Sequence, residues 1–282
     1  MTSGLAGERE KGMQTPLAKK IRRIILEEAY RAGVGHIGSA LSIADIMACL
    51  YGGILRGTGP NRDRLVLSKG HAALALYGAL ALTGRLKREK LGSYCGNGTL
   101  LGVHPDVALE GVDFTTGSLG MGLSYGVGAA IAAKLQGSAR RTYVILSDGE
   151  CNEGAVWEAS MLAAQQRLDN LVAVLDLNGM QALGPTKEII DMRDVAGKWE
   201  AFGWETKVAD GHEGRDLKRA MTSHKKKGQP KMVVALTVLG KGVSFMENNF
   251  RWHYMPMSRE EFERALEENK ERPKRPKTRG CS

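Results

Sequence analysis

Cysteine is scarce: the 282 residues hold four, Cys49, Cys95, Cys151 and Cys281, widely scattered and with no C-x-x-C pair. That pattern excludes a disulfide framework and a zinc knuckle, and it suits a reducing compartment. Proline is sparse too, at 8 residues, so the 36 glycines belong neither to a collagen repeat nor to a proline–glycine low-complexity tract. Aromatic residues make up only 6%, too few for a platform that stacks single-stranded bases, and nucleic acid is not an expected partner. No apolar run approaches the roughly 20 residues of a membrane span. Met1 to Thr15 is polar and lacks the apolar stretch of a signal peptide. A cytoplasmic chain without membrane contact is the expectation.

Glycine is what the sequence has in excess, about one residue in eight, against an ordinary usage of about 7%. With no repeat to absorb them, the glycines must serve particular loops. Basic residues outnumber acidic ones, 40 against 31, for a net charge of +9. Part of that excess is local, in Lys225-Lys226-Lys227 and in the stretch from Lys270 to Arg279, and reads as solvated surface and tail, with an electrostatic tether to an acidic partner or nucleic acid as the alternative for the tail. The expected organisation is a disordered leader over 1–14, one domain over 15–268 and a basic disordered tail over 269–282.

Periodicity gives the fold class. Leu17, Ile21, Ile24, Ile25 and Ala29 predict an amphipathic helix ending near Gly33, after which residues 35–39 read as a loop. Ile43, Ile46, Met47, Leu50 and Tyr51 predict a second helix, residues 64–68 a short buried strand, and an alanine- and leucine-rich helix runs on to Leu82. The runs 143–146, 171–175 and 232–236 are of strand type, with helical patterns at 154–167 and 214–226 between them. Strands alternating with helices predict an α/β fold, a parallel sheet with helices on both faces.

In such sheets ligands bind beyond the carboxyl ends of the strands. Two strands there end in hard-cation donors, Ser147-Asp148-Gly149-Glu150 and Asp176-Leu177-Asn178-Gly179-Met180, one strand–helix–strand excursion apart. A plainer role for Asp148 is to cap the turn that follows it. Gly117-Ser118-Leu119-Gly120-Met121-Gly122 opens a helix and offers backbone N–H groups to a diphosphate, while Gly126 and Gly128 equally suit close helix packing. Four histidines, His36, His71, His104 and His253, sit in glycine- or proline-flanked loops or beside Trp252, and suit a polar pocket that grips hydroxyls and shuttles protons. His212 and His224 lack such context and read as surface residues.

Asp148-Gly149 followed about 30 residues on by Asn178 resembles the thiamin diphosphate motif. The stretches Gly35-His36-Ile37-Gly38, Ser68-Lys69-Gly70-His71-Ala72, His104-Pro105-Asp106, Thr115 to Gly122 and Glu153 to Ala159 resemble the transketolase branch in the expected order, over roughly 15–257. The resemblance implies the thiamin diphosphate-binding fold, in its diphosphate-binding part. It implies Asp148, Asn178 and the Met180 carbonyl on Mg²⁺, with Ca²⁺ able to substitute, and backbone contacts to the cofactor from Gly117, Leu119 and Gly149. It places His71 near the diphosphate or substrate, and His36, His104 and His253 along the substrate channel. Glu153 falls where the family has an acidic residue at a dimer contact.

The implied activity is transfer of a two-carbon ketol (glycolaldehyde) unit from a ketose to an aldose, on sugars or sugar phosphates. It requires a separate C-terminal subunit carrying the pyrimidine-binding domain, two copies of each chain forming an α2β2 assembly. Ser147 before the aspartate, Leu239 where many relatives have lysine, and the tract 179–184 depart from the commonest wording and leave the substrate open. Two alternatives stand beside this reading. One is a thiamin diphosphate enzyme that delivers a two-carbon unit to a carrier-protein thiol or carboligates a 2-oxoacid; the other is a non-catalytic cofactor-binding or regulatory subunit.

Overall fold

In the computed structural model, which describes residues 15–223 and 225–270, the aliphatic runs become strands and the periodic segments become helices. The chain opens with α1 (Pro16–Ala32), α2 (Ile37–Ser42) and α3 (Ala44–Cys49), then β1 (Arg64–Leu67), α4 (Ala73–Leu82) and α5 (Met121–Leu135). The middle is β2 (Thr142–Ser147), α6 (Gly154–Gln165), β3 (Leu171–Leu177), the two-residue strands β4 (Met180–Gln181) and β5 (Gly184–Pro185), and α7 (Thr186–Ile189). The last part is α8 (Val195–Ala201), β6 (Glu205–Asp210), α9 (Gly214–Thr222), β7 (Lys231–Leu236) and α10 (Arg259–Glu268). Five strands pair in the order β1-β2-β3-β7-β6, all parallel, and β4 with β5 forms a small antiparallel hairpin.

Because successive strand residues point to opposite faces, the sheet builds two cores. Leu65, Leu67, Tyr143, Ile145, Val172, Val174 and Val233 pack with α1 to α4, α9 and α10. Val66, Val144, Leu146, Ala173, Leu175 and Val234 pack with α5, α6 and α8. Helices therefore cover both faces, as the sequence predicts. Carboxyl ends of β2, β3 and β7 are left side by side at one edge of the sandwich.

Several expectations are corrected. Residues 37–39 are helical, not loop: His36 takes a left-handed backbone (φ 60°) and α2 starts at once after it, with Ile37 to Ser42 buried. The helix predicted over 214–226 stops at Thr222, because the Glu205 carboxylate takes the backbone N–H groups of Lys225 and Lys226, each at 3.0 Å, and holds them in a turn. Strand β6 escapes a hydropathy reading because Glu-Thr-Lys-Val-Ala-Asp is polar. It is an edge strand, and β7 supplies its ladder. Helix α10 carries a Ser258/Glu261 capping box, and its Phe262 stacks on Tyr30 of α1 with ring centroids 4.2 Å apart. Asn269 donates to the carbonyls of Gly242 and Ala265, so it belongs to the folded body and not to a tail. The expected leader over 1–14, the tail beyond Lys270 and His224 lie outside the described residues.

The two glycines of α5 separate cleanly. A Cβ on Gly126 would stand 2.3 Å from Val144 Cγ2, whereas one on Gly128 would meet nothing within 4 Å. Close packing explains the first glycine and not the second. Gly126→Ala should therefore destabilise the fold by roughly 1–3 kcal/mol through overpacking. Gly128→Ala should stabilise it by up to about 1 kcal/mol through helix propensity. Chemical denaturation of both variants checks the pair, and equal effects would refute the distinction.

Candidate active site

The strand ends open into a cleft of about 350 Å³. Lining it are all eleven of the residues singled out from sequence: the four loop histidines, Glu153, the Gly117, Leu119 and Gly149 positions, and Asp148, Asn178 and Met180. They come from segments spread between residues 36 and 253, and only the sheet brings them together.

Asp148 follows β2 and is buried. Its Oδ1 accepts from Gly149 N (2.9 Å), and its Oδ2 accepts from Gly179 N (2.8 Å) and the Thr186 hydroxyl (3.1 Å). It thus caps its own turn and also ties that turn to the loop after β3. Burial, and next the charge of Asp176, push its carboxyl up to about 6. Asn178 donates through Nδ2 to Asp176 (3.0 Å), which leaves Oδ1 as its accepting end, where it takes the Met180 N–H (2.9 Å). A carboxylate, an amide oxygen and a backbone carbonyl are the donor types a hard divalent cation takes, with phosphate oxygens and water for the remaining positions. Gly149 is a close approach: a Cβ there would lie 2.9 Å from Gln181 Cγ. Among the described residues no three His, Cys, Asp or Glu side chains are grouped to hold a metal.

His36, His71 and His253 form a triangle with ring centroids 5.2–5.4 Å apart. The His36 N–H donates to the His253 carbonyl (3.1 Å), and a Cβ on Gly35 would lie 2.0 Å from the Tyr254 carbonyl oxygen, so only glycine lets these two loops meet. His104 is positioned by Tyr77, whose hydroxyl donates to the Gly102 and His104 carbonyls, each at 3.1 Å. Burial first, then neighbouring imidazoles and Lys69, lower the pKa of His36 and His71, and bring that of His253 to about 4. His104 is lowered by burial alone. A neutral imidazole can accept a proton at one nitrogen and donate from the other. The buried Nδ1 of His36 has no hydrogen-bond partner, the mark of a site shaped for a polar ligand.

The helix-opening glycines behave differently from the expectation. Gly117 and Leu119 line the cleft, but the N–H of Gly120 is taken by the Glu150 carboxylate at 2.8 Å, which also accepts from Ser147 N (3.2 Å) and the Ser68 hydroxyl. Glu150 is therefore a buried brace between β1, β2 and α5, a role that its place beside Asp148-Gly149 does not reveal. Lys69 and Tyr254 also line the cleft without a role read from the sequence, and Asp176, read among the cation donors, is instead paired with Lys69 behind the lining. Lys69 and Asp176 stand inside the motifs quoted above, and a buried ion pair across 107 residues leaves no sequence signal. Tyr254 lines the cleft with its ring 4.9 Å from that of His253 and is half exposed. Glu153 is exposed at the cleft's edge. Leu239 is fully buried against Gly38 and stands behind the cleft, outside its lining.

His212 is not a surface residue. Its Nε2 accepts from Val238 N (2.9 Å), which puts the proton on Nδ1, and Nδ1 donates to Asp45 Oδ2 (2.9 Å). Asp45 is also paired with the buried Arg22, whose Nε donates to the Lys241 carbonyl at 2.9 Å. Segment 238–241 is clasped by this network from behind the site.

A histidine whose folded pKa lies below its unfolded one is neutral in the fold where the open chain is protonated. The stability it contributes is complete above about pH 6.5, the unfolded value, and is lost progressively as pH falls from there toward 4. Proton NMR of the His253 imidazole should accordingly show a titration midpoint near 4. A midpoint near 6.5 would refute the burial of that ring.

Comparison with known proteins places this geometry. Residues 13–276 match the family described as "Transketolase, thiamine diphosphate binding domain". The 6-deoxy-6-sulfo-D-fructose transketolase subunit SqwG of Clostridium sp. (strain MSTE9) is 42% identical over 258 residues, 89% of this chain and 94% of that protein. One subunit of the apulose-4-phosphate transketolase of Phocaeicola vulgatus is 39% identical over 264 residues, covering 90% and 93%. The crystal structure of transketolase from Campylobacter jejuni superposes with a TM-score of 0.85 at 30% identity, covering 91% of this chain but only 43% of that one. Among the described residues no helix is long and apolar enough to cross a membrane.

Proposed function

Because the chain belongs to the transketolase family and carries its thiamin diphosphate-binding domain, we propose that it is the cofactor-anchoring subunit of a two-chain enzyme that moves a two-carbon ketol unit from a ketose to an aldose. The observation that carries this reading is the convergence of a carboxylate, an amide and a carbonyl oxygen with four neutral histidines on one cleft. Asp148, Asn178 and the Met180 carbonyl would hold Mg²⁺, and Gly117, Leu119 and Gly149 would meet the diphosphate through their backbones. Thiamin diphosphate supplies, when bound, the electron sink for the carbon–carbon bond that breaks.

The chain's own work is to bind and to move protons. His36, His71 and His253 present neutral ring nitrogens to the hydroxyl and carbonyl oxygens of a sugar, and each can take a proton on one nitrogen without first losing one from it. His104 reaches the same cleft from the loop that Tyr77 holds and grips a donor hydroxyl. Glu153, exposed at the cleft edge, would join a second copy of the chain in an α2β2 assembly. A separate partner chain is supported by the relatives named as subunits, which this chain spans almost end to end, whereas it spans less than half of the Campylobacter transketolase chain. Phosphorylated and non-phosphorylated ketoses both fit the reading, and the reaction is assigned to the cytoplasm.

Mixing the purified chain with its candidate partner, thiamin diphosphate and Mg²⁺, and screening ketoses, ketose phosphates and 2-oxoacids as donors, tests the proposal. Turnover is expected only from the two chains together and only with ketol donors; turnover by this chain alone would sink the two-chain reading. Asp148→Ala should abolish cofactor-dependent turnover. His104→Ala should raise the donor KM while leaving the cofactor affinity within about twofold, and a change confined to cofactor affinity would remove His104 from the substrate.

A further inference from the structure

The carboxylate of Asp176 is fully buried at the carboxyl end of β3, after five apolar residues. An ionised carboxylate in such a place is sustained only when charge and hydrogen bonds surround it. Its Oδ2 accepts from Lys69 Nζ (2.5 Å), the Ser42 hydroxyl (2.6 Å) and Asn178 Nδ2 (3.0 Å), and its Oδ1 accepts from the Thr237 hydroxyl. Lys69 is itself fully buried, and its ammonium also donates to the Ser39 carbonyl at 3.3 Å. Groups from α2, the turn after β1, the loop after β3 and the residue after β7 thus meet on one carboxylate.

The bond to Asn178 has a particular consequence. A side-chain amide has one donating and one accepting end, and rotation by half a turn exchanges them. An acceptor-only carboxylate can receive the Nδ2 end alone, so it sends Oδ1 the other way, toward the Met180 backbone and the cleft. The carboxylate cannot turn to follow, because Thr237 and Ser42 fix it from two directions and Lys69 neutralises it.

We propose that Asp176, anchored by Lys69, Ser42 and Thr237, is a positioning residue that sets the orientation of the Asn178 amide and so presents its oxygen to the cation site. The proposal rests on the assignment of Asn178 as a cation ligand. Groups that orient metal ligands from outside are commonly worth 10–100-fold in metal affinity. A merely structural ion pair can be replaced by apolar residues of similar volume with little loss.

The test is the double variant Lys69→Met/Asp176→Leu, which removes one positive and one negative charge together and leaves the local charge sum unaltered. Mn²⁺ binding to the purified chain in the presence of thiamin diphosphate is read by electron paramagnetic resonance, with circular dichroism and thermal melting in parallel. A folded double variant should bind Mn²⁺ at least about tenfold more weakly than the unaltered chain. Unchanged affinity would overturn the proposal, since charge balance or simple packing would then account for the pair. Should the double variant not fold, Thr237→Val decides the matter, because it keeps both charges and removes one anchor. Mn²⁺ binding weaker by about threefold or more supports the proposal, and unchanged binding overturns it. If the unaltered chain takes up no Mn²⁺ with thiamin diphosphate even in the presence of its candidate partner, the functional reading fails and the proposal falls with it.

Discussion

A negative charge in the middle of a hydrophobic sheet edge is the constraint around which the cleft is arranged. Asp176 sits where β2, β3 and β7 end, and burial without partners would cost several kcal/mol. Its partners must therefore arrive from other parts of the chain: Lys69 after β1, Ser42 at the end of α2, Thr237 after β7. Each brings its neighbours along. His71 comes with Lys69, His36 stands at the head of the helix that ends in Ser42, and Leu239 comes with Thr237 and packs on Gly38. Asp148 lies near enough for the Asp176 charge to raise its carboxyl, so the turn after β2 feels the same centre. Satisfying one buried carboxylate and assembling the site are the same event.

A second network holds the outside of this arrangement. Arg22, Asp45 and His212 are linked in series and grip the backbone at Val238 and Lys241. The Gly240 N–H donates to the Gly38 carbonyl at 3.0 Å, so segment 238–241 is a rigid backing for α2 and its histidine. The site is thus fixed from within by one ion pair and from behind by another, with few degrees of freedom left to its loops.

The parallel sheet and its helices were legible because β2, β3 and β7 each hold a run of four or five apolar residues, and such runs have little else to become. The cleft residues were legible because chemistry-bearing types stood next to glycines in loops, where a chain rarely keeps a histidine or an aspartate without use. Polar edge strand β6 was not legible: its pairing comes from β7 and not from its own hydropathy. The start of α2 was hidden because His36 itself takes the left-handed turn that glycine usually marks. The roles of Glu150, Lys69, Asp176 and His212 were hidden for a common reason. Their partners are distant in sequence, and a buried polar residue is recognisable only from what satisfies it.

The contact between the 35–36 loop and residues 253–254 bears on when, as well as how, the cleft exists. Gly35 and His36 are made long before His253 and Tyr254, yet each segment needs the other: the His36 N–H has its acceptor on His253, and a side chain at position 35 would strike the Tyr254 backbone. Contacts of such long sequence separation form late, after the loop-closure entropy has been overcome by the cores beneath. Without residues 253 and 254 the histidine wall would have two sides instead of three, and the His36 N–H would lose its acceptor. Competence to receive a ligand therefore waits on the segment that carries His253 and Tyr254.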